Sequence, residues 1–347
     1  MSKELSLGSS DITIYNIIRE IVGRDRIDDF SKVILIPETL QSFGDERVTR
    51  AHLSMSLFIA LYSDLLDRVP NAKLYFNRQL DEENTITFDH GAVRTVLYDR
   101  NGQLPPGEES LVRILRSLGY FHNHTYPLEK LRMTGRSYTQ ADLPTLIPQY
   151  FVSEFHPEKL ENDDFEKALI NVIEDSIDPL SDLIKLDLAF LEEHHYLERE
   201  RCTEFMENIV LAFARQHPIP KLKDYNKLLE FSPEMAWVAT EGNAFNHATD
   251  RVSNLQDLVD REKSLDAPMK DAIEVSKSTR VLQTAYKADP VNRSFIDDEN
   301  NVVQIDVPGS FFEFIERHID PDTNTLDLAF DASNATGIFK MTQADQE

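Results

Sequence analysis

The chain has 347 residues, 61 acidic and 36 basic, for a formal charge of −25; 41% are hydrophobic and 9% aromatic. That is apolar enough for a large folded core and excludes a disordered acidic chain. The charge repels phosphate backbones and anionic lipid, so no nucleic acid or membrane partner is expected, and the lone Cys202 excludes a disulfide framework, a Cys-rich zinc site or a CxxC redox centre. A polar start (MSKELSLGSSD) and no long apolar run predict a soluble, cytoplasmic protein.

In chain order, Ile14, Ile17, Ile18 and Ile21 have helical spacing, with Asp11 placed to cap the helix and Gly23 to end it. A second helix is predicted from about Thr49 to Leu66 and a third from Glu109 to Leu118, ending at Gly119. Between them, ENTITFDHGAVRTVLYD reads as a strand or strand pair; LRMTGRSY and IPQYFVSEF also read as extended. The stretch around His122 and His124 reads as a Pro-bounded loop. From Glu158 to Glu200 there are 14 acids against four bases, with apolar residues at helical intervals, which predicts helices with solvated acidic faces. After Pro220, EMAWVATEGNAFNHATDRV, STRVLQTAY, NVVQIDV and SFFEFIER read as strands, with a helix between Asn254 and Ser264. The class is α+β: a single catalytic domain over 1–347, with a first β module at about 70–157, an acidic helical insertion at about 158–218 and a second β module at about 231–347.

The chemical clue is an internal echo. Phe88-Asp89-His90-Gly91-Ala92-Val93-Arg94 and Phe245-Asn246-His247-Ala248-Thr249-Asp250-Arg251 share the pattern Phe-Asp/Asn-His-x-x-x-Arg, 157 residues apart. Such self-similarity points to two related modules. On a strand, residues i and i+4 face the same way, so each copy sets a His and an Arg along one wall. Two walls facing each other offer two imidazoles to a divalent ion and guanidinium forks to a carboxylate. The alternative is that both histidines are ordinary hydrogen-bonded residues and that Arg94 and Arg251 pair with some of the many acids. Glu313, in SFFEFIER, alternates onto the same face as Phe311 and Ile315, either held inward by a cation or exposed on a half-buried strand. Two His and one carboxylate make the facial-triad set that suits non-haem Fe(II).

The segments TFDHGAVRT, YTQADLPTLIPQYFVSEF, NAFNHATDRV, RVLQTA and FFEFIER, in order from about residue 80 to 340, resemble the 2-oxoadipate dioxygenase/decarboxylase family, divergent relatives of the vicinal oxygen chelate enzymes such as 4-hydroxyphenylpyruvate dioxygenase. The resemblance implies paired vicinal-oxygen-chelate modules forming a metal-bearing β-sheet core with a helical insertion. It implies Fe(II) held by His90, His247 and Glu313, a substrate-carboxylate arginine at Arg94 and an active-site amide at Gln283. Ser333 is carried over as a further substrate contact, within an ending, Ala329 to Phe339, that resembles a segment closing over such sites; Arg251, the arginine of the second echo copy, is read as another substrate contact. The implied reaction takes 2-oxoadipate and O2 to 2-hydroxyglutarate and CO2, with a place in lysine degradation. A metal-dependent isomerase or hydrolase on the same fold, or a non-catalytic acidic interaction protein, are the competing readings. There is no Gly-rich phosphate loop and no Gly-x-Ser-x-Gly elbow.

Overall fold

A computed structural model describes residues 4–330. The N-terminal part is helical: α1 (Thr13–Val22), α2 (Arg24–Val33), α3 (Arg50–Arg68) and α4 (Pro70–Asp81). Helix α1 buries Ile14, Ile17 and Ile18 and stops at Gly23, whose φ of +88° suits glycine. Its N-cap is Ile12, so Asp11 does not cap it; Asp11 instead pairs with Arg19. Helix α3 begins at Thr49, whose hydroxyl accepts the His52 N–H.

The first β module follows as β1 (Phe88–Val96), α5 (Glu109–Ser117), β2 (Tyr120–Leu128), β3 (Met133–Gln140) and β4 (Gln149–Phe155). Then come α6 (Asp163–Ile173), α7 (Asp182–His194), α8 (Arg199–Leu211), α9 (Leu222–Phe231) and α10 (Pro233–Glu241). The second module repeats the first: β5 (His247–Arg251), α11 (Leu255–Ser264), β6 (Glu274–Val275), β7 (Val281–Ala285) and β8 (Phe311–Arg317). A hairpin, Pro290–Ile296 with Val302–Pro308, is inserted before β8. The acidic helices α6 and α7 bury Phe165, Leu169, Ile184 and Leu188, as their periodicity predicts.

The modules join in one curled eight-stranded sheet of order β6-β7-β8-β5-β1-β4-β3-β2. Within each, the first strand lies parallel to the last, β1 beside β4 and β5 beside β8; the two modules meet where β1 runs antiparallel to β5. Helix α3 lies across that seam on one face: Phe58 packs on Phe88, Tyr150 and Phe245, and Tyr62 on Phe88 and Phe312. At the seam β1 carries a bulge, with Phe88 opposite Asp250 but Gly91 opposite Ala248.

Three expectations are corrected. The stretch EMAWVATE is helix α10, opened by Ser232 and Pro233 and buried along almost its whole length, so it shows no polar stripe. The His122–His124 stretch is strand β2, at the sheet edge, where polar residues and Pro127 are tolerated. Residues 70–81, placed at the start of the first β module, are helix α4, and the strands of the second module begin only at His247.

Candidate metal centre

The sheet register dictates which side chains meet. Residues opposite one another share a face, and Ala92 lies opposite His247, His247 opposite Phe311, Thr249 opposite Glu313, and His90 opposite Gln149. His90, His247 and Glu313 therefore converge on the face away from α3. The two imidazole Nε2 atoms are 3.4 Å apart, and Glu313 Oε2 lies 3.3 Å from His247 Nε2 and Oε1 4.0 Å from His90 Nε2. All three are buried.

The bulge turns Asp89 toward the same cluster. Its carboxylate contacts His90 Nδ1 at 2.9 Å and takes a two-pronged ion pair, 2.8 and 2.9 Å, from Arg317 of β8. Burial opposes the Asp89 charge, but Arg317 overrides it and holds the carboxyl well below the usual range. An ionised carboxylate only accepts, so Nδ1 of His90 carries the proton and Nε2 presents its lone pair. His247 Nδ1 faces the Asn246 Oδ1 at 3.4 Å, which orients that ring alike. Burial lowers the pKa of both histidines, His247 further because His90 and Arg94 are close. Both are neutral, the form that ligates metal.

Glu313 is the group out of balance. Neither of its oxygens accepts a hydrogen bond among the described residues, and burial pushes its pKa up to about 8, with Lys270 opposing. Two lone pairs and a carboxylate gathered at these distances repel one another unless a proton on Glu313, which its raised pKa favours, or a metal ion sits among them. The donor set fits a divalent metal of the facial-triad kind.

The remaining predicted residues lie around this centre. Arg94 is fully buried on β1, its guanidinium 4.9 Å over the Trp237 ring; burial brings its pKa down to about 10, against the pull of Glu234. Because β1 and β5 are antiparallel, Arg94 and Arg251 flank the histidine pair on opposite sides. Arg251 Nη1 donates to the Thr145 carbonyl at 3.3 Å and lies 4.0 Å from Asp89. Gln283 is opposite Ile315, on the Glu313 face, and its Nε2 donates to Glu274, which also pairs with Lys270. Ser333 lies outside the described residues. Sequence reasoning missed Asp89, Arg317 and Thr249, whose hydroxyl is 3.3 Å from His90 Nε2; Phe330, whose ring packs 4.7 Å from that of His90, belongs to the ending Ala329 to Phe339 named from the resemblance. The Asp/Asn position of the echo was the available signal for Asp89.

A model of the 2-oxoadipate dioxygenase/decarboxylase family matches residues 46–340. The chain belongs to the 2-oxoadipate dioxygenase/decarboxylase family. This family member is 44% identical to a protein from Ralstonia eutropha JMP134 described as of the glyoxalase superfamily, over 92% of this chain and 98% of that one, with a TM-score of 0.87. Hydroxyglutarate synthase from Oryza sativa, solved with 2-oxoadipate, shares the fold at 18% identity and a TM-score of 0.65, covering 86% of this chain and 94% of that one. The Pseudomonas putida hydroxyglutarate synthase, also with 2-oxoadipate, does so at 15% and 0.58, covering 86% and 75%. No curated protein matches the chain. The fold class read from the sequence, paired vicinal-oxygen-chelate-like modules with helices inserted, is therefore the fold of this family member. Among the described residues no helix is long and apolar enough to cross a membrane.

Proposed function

We propose that this chain is an Fe(II)-dependent dioxygenase and decarboxylase of a 2-oxo dicarboxylic acid, taking 2-oxoadipate and O2 to 2-hydroxyglutarate and CO2. The observation that carries the reading is the pair of buried, unsatisfied Glu313 oxygens facing two neutral histidines. His90, His247 and Glu313 hold the metal, and Asp89 keeps His90 in the ligating tautomer. Bound there, Fe(II) supplies a chelation site for the 2-oxo acid and the redox chemistry of O2.

The protein's own work is orientation. Arg94, in a dry setting against Trp237, binds a substrate carboxylate through its planar fork. Arg251 offers a second positive charge on the other side of the metal, tempered by Asp89. Gln283, its amide nitrogen engaged by Glu274, has its carbonyl oxygen as the acceptor for the product hydroxyl. Phe330 covers the His90 ring and limits water. Ser333 is proposed as a further substrate contact from the ending of the chain, and the whole chain acts as one catalytic unit because its ligands come from both modules.

The test is metal content and oxygen uptake of Fe(II)-loaded protein with 2-oxoadipate, beside 2-oxoglutarate and 4-hydroxyphenylpyruvate. One metal per chain, with uptake matched by CO2 and 2-hydroxyglutarate, is expected; Glu313→Ala loses both metal and uptake while keeping its circular dichroism. Full activity in that variant, or turnover without oxygen, overturns the assignment.

A further inference from the structure

Arg94 enters the site from one end of the sheet, and the groups that hold it there come from the helices between the modules. Phe311, His247 and Ala92 lie side by side across β8, β5 and β1. Glu313 is two residues past Phe311 on one side of that row. Because β1 runs antiparallel to β5, His90 falls on the same side as Glu313, whereas Arg94 falls on the other, where Gly309 also lies. Trp237 of α10 bridges Gly309 and Arg94. Its Nε1 donates to the Gly309 carbonyl at 3.1 Å, and its ring centre is 4.9 Å from the Arg94 guanidinium carbon. Just after the same helix, the Asn243 side-chain amide donates to the Arg94 carbonyl at 2.8 Å. Arg94 is thus gripped at its backbone and at its head group, and the indole closes the end of the site beyond it.

We infer that Trp237 is a positioning residue that sets the distance from the metal triad to the Arg94 guanidinium, and thereby the length of 2-oxo dicarboxylic acid that the site takes. This rests on the reading proposed above, with the chelating end of the acid at the triad and its far carboxylate on Arg94. A guanidinium lying over an indole keeps its donors in a plane set by the ring and presents them edgewise. The ring itself has little freedom. It is 2% exposed, belongs to the apolar cluster that includes Val96 and Phe155, and its buried N–H would lose a partner if it tilted away from Gly309. Arg94 is close enough to His247 for its charge to lower that ring's pKa, so a short diacid spans the gap between them. An acid one methylene too short leaves a buried cation unmet, and one methylene too long collides with the group that the indole backs.

The experiment uses the full chain loaded with Fe(II) and the 2-oxo diacids of five, six and seven carbons, beside 2-oxohexanoate, which has no far carboxylate. Under anaerobic conditions the visible absorption that appears when a 2-oxo acid chelates Fe(II) measures binding; oxygen uptake gives kcat/KM for each acid. Trp237→Leu takes away the end wall and lets the guanidinium retract. It is expected to raise the seven-carbon over six-carbon ratio of kcat/KM, and of binding, roughly tenfold, while metal content and 2-oxohexanoate binding stay parental. A role confined to stability would scale all four acids by one factor, and that result overturns the inference. Trp237→Phe, which keeps a ring but not the N–H, is expected to fall between the two and replaces Trp237→Leu if the latter does not fold.

Trp237 is also the sole tryptophan of the chain, so the parent reports on it directly. Its emission wavelength is expected to shift when the preferred diacid saturates the chelate absorption, and not when 2-oxohexanoate does. The same emission with both acids overturns the placement of the far carboxylate beside Trp237. A parent that binds the diacids but consumes no oxygen sinks the functional reading instead, and the length preference is then decided by chelate absorption alone. A parent that binds none of the acids overturns both.

Discussion

At the scale of single residues, the site depends on charges held in fixed relation by groups distant in the chain. Asp89 touches both His90 and Arg317, the latter 228 residues away. Asp89→Asn preserves the shape but leaves the Arg317 cation buried with its charge partner lost. We expect about 3–5 kcal/mol of destabilisation by urea unfolding and about 10–100-fold weaker metal binding by competitive titration. Asp250, on the opposite face, behaves differently. Burial raises its pKa to about 6, although Tyr75 and the Thr87 N–H bond to it. The folded protein then holds a proton that the unfolded chain has lost between pH of about 4 and 6, so this group's stability is present at low pH and lost as pH rises through that window. Asp250→Asn should remove the slope and gain roughly 2–3 kcal/mol relative to the parent at pH 7 over pH 4, measured by thermal melts across pH. The two histidines stood out because their neighbours repeat in the sequence, and Glu313 through the alternation of SFFEFIER and the family resemblance. The Asp89–Arg317 contact was not legible, because it depends on a bulge that no local residue pattern announces.

Among elements, legibility follows burial. Helices α1, α3, α5 and α11 were read from the sequence close to their observed bounds, and the structure adds the side-chain caps Thr49 and Asn254. Helix α10 was not, since Glu234 through Glu241 are buried on all sides and its Trp, Val and Thr mimic a strand. Strand β2 failed for the opposite reason: as an edge strand it exposes His122, His124 and Pro127, a composition that reads as loop. The join of β1 to β5 is tightly packed. A Cβ at Gly91 would stand 2.5 Å from Phe245 Cζ, and Phe245 is itself wedged against Phe58 and Tyr150. Gly91→Ala should cost about 1–3 kcal/mol in urea unfolding through overpacking, without removing any ligand. A parental midpoint would show that Phe245 yields more freely than its neighbours suggest.

For the whole molecule, a metal held by the proposed triad would tie two halves together: His90 comes from the first module, His247 and Glu313 from the second. A ligand bound only by the folded state stabilises it by about 2.7 kcal/mol at a hundredfold excess over Kd. Chelator should therefore lower the melting temperature of Fe(II)-loaded protein by several degrees and leave Glu313→Ala unmoved; equal shifts in both would place the metal elsewhere. The seven-residue echo disclosed two modules, but their shared strand order was hidden, because the echo covers only the first strand of each and its approach. The division of ligands also governs when the site comes into being. A ribosome that has finished His90 has 313 − 90 = 223 residues still to add before Glu313 exists, roughly 10–45 s at about 5–20 residues per second. For the first 247 − 90 = 157 of those residues the nascent chain carries only one of the three proposed ligands, and the set is complete only once Glu313 is made, so a metal held by all three would be acquired at the end of synthesis or after it.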